Sequence, residues 1–267
     1  TAIACTVVEP CANGIGGDAF AIVHDGKSIH GLNASGKSPA LMPTSLEGEI
    51  PSVGWFPVTV PGQVSGWVML HERFGRLPFA TLFEPAVSYA KDGFLVSPQT
   101  ANRWKFGTDR FRNEEAWCDT FLFEGQPPEV GQRVTLPDHA ATLREIADTK
   151  GTSFYSGKLA QKMDEASKGA GGFLRKSDLE AHQSTWVKPL SVRVGDADFY
   201  ELPPNGQGIA ALIAMKIVQE SQLNLSNCNS PEVLHLQIEA MKRAFADAHA
   251  FVADPEVSGE CGDLLED

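Results

Sequence analysis

The chain has 267 residues, enough to bury a sizeable core, with 42% hydrophobic and 21% charged residues and a net charge of −12. Its densest basic clusters are as short as Arg103–Lys105 and Lys242–Arg243, which excludes a nucleic-acid footprint or adhesion to an anionic membrane. No apolar run approaches the roughly 18 residues of a membrane-spanning helix. Cys5, Cys11, Cys118, Cys228 and Cys261 make an odd count without a C-x-x-C pair. That pattern argues against a disulfide framework or a thiolate zinc site and favours free thiols in the cytoplasm, with a periplasmic or extracellular location as the alternative.

The opening TAIACTVVEP has no methionine, leader or helix cap. It reads as the back half of an alanine-rich helix followed by a strand, with further residues expected upstream. Gly14–Gly17 predicts a tight turn where backbones approach closely. AFAIVH (19–24) predicts a strand, Asp25-Gly26 a hairpin turn and Ser28–Leu32 the returning strand. Residues 41–61 are proline-rich and irregular. In the helix that follows, Val64, Trp67, Val68, His71 and Phe74 share one face, and Gly75 suits its C-terminal stop. Residues 82–92 predict a helix broken or started at Pro85 and closed by Gly93.

The block 98–135 reads as mixed, polar and loop-rich. Short amphipathic helices are expected over 138–150 and 157–168, and Ser177–Glu180 has the form of a capping box that opens another. Val187–Tyr200 predicts two strands around Gly195-Asp196, and Pro204–Gly208 leads into the helix IAALIAMKIV. Ser230-Pro231 opens a last helix with an apolar face of Leu234, Ile238, Met241 and Phe245. Residues 254–267 are acidic and predict an exposed or disordered tail. One domain over 1–267, mixing helices with partly antiparallel sheet, is the expected organisation.

Composition and spacing yield little chemistry. A phosphate loop needs a strand before its glycines and a helix after them, whereas here a strand follows and no Gly-Lys-Ser/Thr closes the loop. His235 and Glu239 lie four apart on a helix, but no second pair with ligand spacing accompanies them, so neither a metal nor another cofactor is expected. Gln63–Trp67 lacks the glycine frame of a nucleophile elbow, which leaves Ser65 as an ordinary helix residue. Thr1 precedes a helix-like run, not the strand that an N-terminal nucleophile begins.

Several stretches together resemble the large subunit of the γ-glutamyltranspeptidase family. They are VVEPCANGIGGDAFAIVHDG (7–26), VTVPGQVSGWVMLHERFGRLPFATLFEPAVSYAKDGFLVS (58–97), FYSGKLAQKM (154–163), GGFLRKSDL (171–179), LPPNGQGIAAL (202–212) and IEAMKRAFADAHAFVADPE (238–256). The resemblance implies an α+β fold, the αββα sandwich of the N-terminal nucleophile (Ntn) hydrolases. It implies a self-processing enzyme whose nucleophile, a threonine that begins the small subunit, lies outside this chain. The implied partner is therefore that small subunit, in a heterodimer or a dimer of heterodimers.

The family's loop L-D-G-R-E-T-A-P, whose arginine grips the substrate α-carboxylate, reads here Leu32-Asn-Ala-Ser35-Gly-Lys37-Ser-Pro39. Ser35 stands in the arginine's place with Lys37 two residues on, and these are the candidate substrate-binding residues. Losing a guanidinium fork weakens carboxylate binding by about 1.5–3 kcal/mol, the scale of a charged hydrogen bond. The implied reaction is cleavage of γ-glutamyl or related small amides. An oxamate- or cephalosporin-type amidohydrolase and a non-catalytic binding or assembly protein are the alternatives.

Overall fold

The computed structural model describes all residues except 44, 46, 47, 222–226, 228, 259–261, 266 and 267. The chain divides into two compact units, one formed by Thr1–Ala19 with Ala34–Ser184, the other by Phe20–Asn33 with Thr185–Asp267.

In chain order, α1 (Ala2–Val8) leads to β1 (Ala19–His24) and β2 (Ile29–Ala34). The helices α2 (Gln63–Phe74) and α3 (Glu84–Asp92) follow, then β3 (Phe94–Leu95), α4 (Pro98–Phe111) and α5 (Glu115–Phe121). Next come β4 (Arg133–Val134), α6 (Pro137–Thr149), α7 (Thr152–Tyr155), α8 (Lys158–Gly169) and α9 (Lys176–Glu180). The chain closes with β5 (Thr185–Val187), β6 (Leu190–Val194), β7 (Ala197–Glu201), α10 (Ile209–Glu220), α11 (Pro231–Phe251) and α12 (Pro255–Ser258).

The first unit is mainly helical. Val7, Val64, Trp67, Phe83, Trp104, Leu143 and Ile146 meet in one core, so α1, α2, α4 and α6 each turn an apolar face to the same interior. On α2 the inward residues are those that the helical period marks: Val64 and Trp67 are buried, and Val68, His71 and Phe74 are half-buried. Pro85 in the first turn and Gly93 at φ +92 bound α3, as the sequence predicts. The block 98–135 departs from its reading as loop, because it contains α4 and α5. Ser97 caps α4 by accepting a hydrogen bond from the Thr100 amide at 3.2 Å, and Pro98 takes the first helical position. The short helix near residue 177 starts two residues earlier than the Ser177 box implies. Its N-cap is Arg175, whose amide donates to the Asp178 carboxylate at 2.8 Å.

The second unit holds a three-stranded sheet in the order β1-β2-β5 and the separate hairpin β6-β7. β2 pairs antiparallel with β5 in the register Gly31↔Val187, Leu32↔Trp186 and Asn33↔Thr185. The two strands expected around Gly195-Asp196 form as β6 and β7, and Thr185–Val187 adds a separate strand that joins β2. α10 packs against α11 through Ile209, Ala210 and Ile213 on one side and Ala240, Ala244 and Ala248 on the other. This reverses the expectation for α11. Leu234, Ile238, Met241 and Phe245 are 42%, 59%, 38% and 38% exposed, while Val233 and the alanine stripe face inward. Alanines let two helix backbones approach closely, so the small residues win the helix contact and the larger ones remain outside. Within the acidic stretch after residue 253, Leu264 and Leu265 pack against this helix pair, and the Lys216 ammonium donates to the Leu265 carbonyl at 2.8 Å.

Candidate functional site

Ser35 directly follows β2, which runs two residues beyond the expected Ser28–Leu32 and delivers the loop from a hydrogen-bonded strand. Ser35 is half-buried and Lys37 exposed. The Gly36 amide donates to Asp18 Oδ1 at 3.3 Å, and the Gly62 amide also donates to this carboxylate. The Val60 amide donates to the Lys37 carbonyl at 2.9 Å. At the far end of the loop, the Ala40 amide donates to Asp178 Oδ1 at 3.1 Å, which ties the loop to the cap of α9.

Two glycines make this arrangement possible. A Cβ on Gly36 would lie 1.7 Å from the Val60 carbonyl oxygen, and one on Gly62 would lie 2.1 Å from the Ala34 carbonyl oxygen. Segments 34–37 and 60–62 therefore touch backbone to backbone, and no side chain fits between them. The sequence places this close approach at Gly14–Gly17 instead. There the turn forms, with the Gly17 amide donating to Gly14 at 3.2 Å, yet Gly14 and Gly16 have room for a Cβ. A helix precedes this turn and a strand follows it, the reverse of a phosphate loop.

Asp18 bridges the two features. Partial desolvation pushes its carboxyl above the usual carboxylate range, and the Gly36 and Gly62 amides pull it partly back. The Gly17 carbonyl accepts from the Gln63 amide at 2.9 Å, so the same turn also holds the start of α2.

One turn into α2 lies a cluster that the sequence does not announce. The Ser65 hydroxyl donates to the Gly62 carbonyl at 2.9 Å and lies 3.0 Å from His182 Nε2, with the Ser184 hydroxyl in contact with it. Tyr155 stacks on the His182 ring at 5.2 Å, accepts from the Ser65 amide at 3.0 Å and donates to the Pro61 carbonyl at 2.8 Å. Burial holds His182 below its ordinary range, hence neutral, and pushes the Tyr155 hydroxyl up to about 12. The Ser65 proton goes to the Gly62 carbonyl, so it is not held for the imidazole. The group braces residues 61–65 and does not activate a nucleophile. In sequence Ser65 and His182 are 117 residues apart, and no motif joins them.

The remaining candidates stay apart. Thr1 caps α1 and precedes no strand. His235 and Glu239 lie one turn apart on α11, and Glu239 accepts from Lys242 at 2.8 Å, which lowers its carboxyl. Cys5, Cys11 and Cys118 are free thiols, while Cys228 and Cys261 lie outside the described residues.

The helical unit thus carries the clamped Ser35 loop beside the Ser65–His182 network. Comparison with known proteins identifies its family. The family model for gamma-glutamyltranspeptidase matches residues 1–266, and the chain belongs to that family. It is 30% identical over 255 residues to the glutathione hydrolase-like YwrD proenzyme of Bacillus subtilis, covering 93% of this chain and 49% of that protein. It is 32% identical over 264 residues to the oxamate amidohydrolase proenzyme of Klebsiella pneumoniae, covering 95% and 50%. Among solved structures, the cephalosporin acylase from Bacillus halodurans superposes with a TM-score of 0.94 at 39% identity, over 100% of this chain and 52% of that one.

The chain spans about half the length of the curated relatives it matches. It aligns with the large-subunit portion of such precursors, and its fold is that of the Ntn hydrolases. The αββα expectation holds at this level.

Proposed function

We propose that this chain is the large-subunit portion of a self-processing amidohydrolase. In this reading a small subunit supplies the threonine nucleophile, and the Ser35–Lys37 loop lines the pocket for the acyl part of the amide. The observation that carries the proposal is the clamped loop. Residues 34–37 are fixed by Asp18, Val60 and Gly62, a rigidity that suits substrate positioning. A matched precursor named for oxamate hydrolysis and a matched structure named cephalosporin acylase support a small-amide reaction.

The partner follows from exposed apolar surface in the second unit. Phe20 and Ile22 on β1 and Phe199 and Tyr200 on β7 are exposed, as is the large-residue stripe of α11. Apolar residues grouped on strands and one helix face suit a protein interface. Because the matched relatives are named proenzymes, the small subunit of the same precursor is the occupant we assign to this surface, in a heterodimer.

Ser35 shifts the substrate away from γ-glutamyl amides, since a neutral hydroxyl grips an α-carboxylate less well than a guanidinium. Hydrolysis of a γ-glutamyl anilide, oxamate and glutaryl amides by the full-length protein tests this. The expected order places the γ-glutamyl anilide last, and Ser35→Arg raises its kcat/KM by about tenfold, the low end of a charged hydrogen bond. A wild-type preference for the γ-glutamyl anilide contradicts the substrate assignment, and no effect of the arginine contradicts the placement of the loop.

A further inference from the structure

A second concavity lies within the helical unit, apart from the Ser35 loop. It is a cleft of about 1230 Å³ between the Pro10–Gly16 turn, α4, α5 and the start of α6. Its floor is aromatic. The Phe111 and Trp117 rings lie 5.5 Å apart, Trp117 and Phe121 also 5.5 Å, and Trp104 and Phe121 5.9 Å. Two polar groups of this floor are already hydrogen-bonded within the protein. The Trp104 indole N–H donates to the Phe121 carbonyl at 2.8 Å and the Thr120 hydroxyl to Ala116 at 2.8 Å. Burial keeps His139 neutral. Trp104 is buried beneath this floor, and the half-buried Phe111, Trp117 and Phe121 rings, with Arg110 over Phe111 at 5.6 Å, offer surface to a flat apolar body.

The charge beside the cleft is set by α4. Arg103, Lys105 and Arg110 stand against Asp109 alone on this helix, in a chain whose net charge is −12. Asp109 is paired with Arg112 at 2.6 Å, and Arg110 donates to the Ser52 carbonyl at 2.9 Å. Asp138 sits in the first turn of α6, where helix amides offset its charge. Arg103 is exposed, lines the cleft and, among the described residues, is paired with no carboxylate. Its charge reaches the Cys11 thiol on the facing wall.

We propose that this cleft binds a small aryl carboxylate, with its ring among Phe111, Trp117 and Phe121 and its carboxylate on Arg103. Ring faces select the aromatic body, and the one uncommitted guanidinium selects the anion.

The test uses the full-length protein and para-fluorophenylacetate, followed by its fluorine NMR line width. Binding broadens the line, and phenylacetate competes the broadening away. Arg103→Glu weakens binding by about tenfold or more, Arg103→Gln by less, and Lys105→Glu, on the same helix but not lining the cleft, leaves it unchanged. Amide hydrolysis is the same in wild type and Arg103→Glu, which separates this site from the catalytic one. Absence of broadening in the wild type overturns the proposal. So does equal binding by the Arg103 variants, equal weakening in Lys105→Glu, or equally tight binding of the neutral para-fluorophenylacetamide. A parallel loss of hydrolysis in Arg103→Glu also overturns it, by locating the probe in the amide pocket. Failure of hydrolysis in every form would count against the proposed function and leave this binding result standing.

Discussion

Gly62 shows how a single missing side chain shapes the candidate site. Its Cβ position is occupied by the Ala34 backbone, so Gly62→Ala must push segment 60–62 off the Ser35 loop. The expected cost is about 2–4 kcal/mol, read as a lower midpoint in urea unfolding, with a larger KM for the amide substrate. A variant with unchanged stability and KM would mean that the loop does not depend on this contact. Sequence alone locates the loop through its similarity to a family motif but misplaces the close approach. A glycine run such as Gly14–Gly17 is visible, whereas a single glycine packed on a distant backbone is not.

His182 gives a pH dependence with a defined sign. Its folded-state pKa is depressed by burial, while an unfolded histidine titrates near about 6.5. Below that pH the unfolded chain takes up a proton that the native chain resists. Stability is therefore full above about pH 6.5 and falls as the pH drops toward the folded value. His139 acts in the same direction, and the raised Asp18 carboxyl acts oppositely in the lower, carboxylate range. The melting temperature is expected to fall between about pH 7 and pH 5.5, and His182→Gln reduces that slope. An identical slope in the variant would remove His182 from this account.

At the scale of elements, the helical period identifies α2, α3, α6 and α8 because each carries a conventional apolar stripe. It fails for α4, where Arg103, Lys105, Asp109 and Arg110 dilute the pattern. The signal that finds α4 is the Ser97-Pro98 pair, the same cap that marks α11 at Ser230-Pro231. On α11 the period is legible but assigns the wrong face, because hydrophobicity alone does not distinguish a stripe that packs within the chain from one that meets a partner. If the outer stripe meets the small subunit, Ile238→Glu combined with Leu234→Glu leaves α11 helical by circular dichroism. The same pair lowers recovery of the two subunits as one complex by at least about tenfold, as expected for a buried unpaired charge. A complex that assembles at wild-type yield would show that this stripe is not the interface.

For the molecule as a whole, the motif series from residue 7 to residue 256 made the family and the Ntn hydrolase fold legible, and the match over residues 1–266 bears both out. The chemistry was less legible, because it depends on residues brought together over long separations. Ser65 meets His182, and Asp18 meets Gly36 and Gly62, with no local pattern to predict either contact. The exposed strand and helix faces and the proenzyme names of the relatives support the proposal of a self-processing, two-subunit enzyme. The direct measurement is expression of the complete precursor, followed by gel electrophoresis and intact mass. The account predicts two fragments, the smaller beginning with threonine, and amide hydrolysis that appears only with cleavage. A precursor that stays whole and hydrolyses no amide would contradict it.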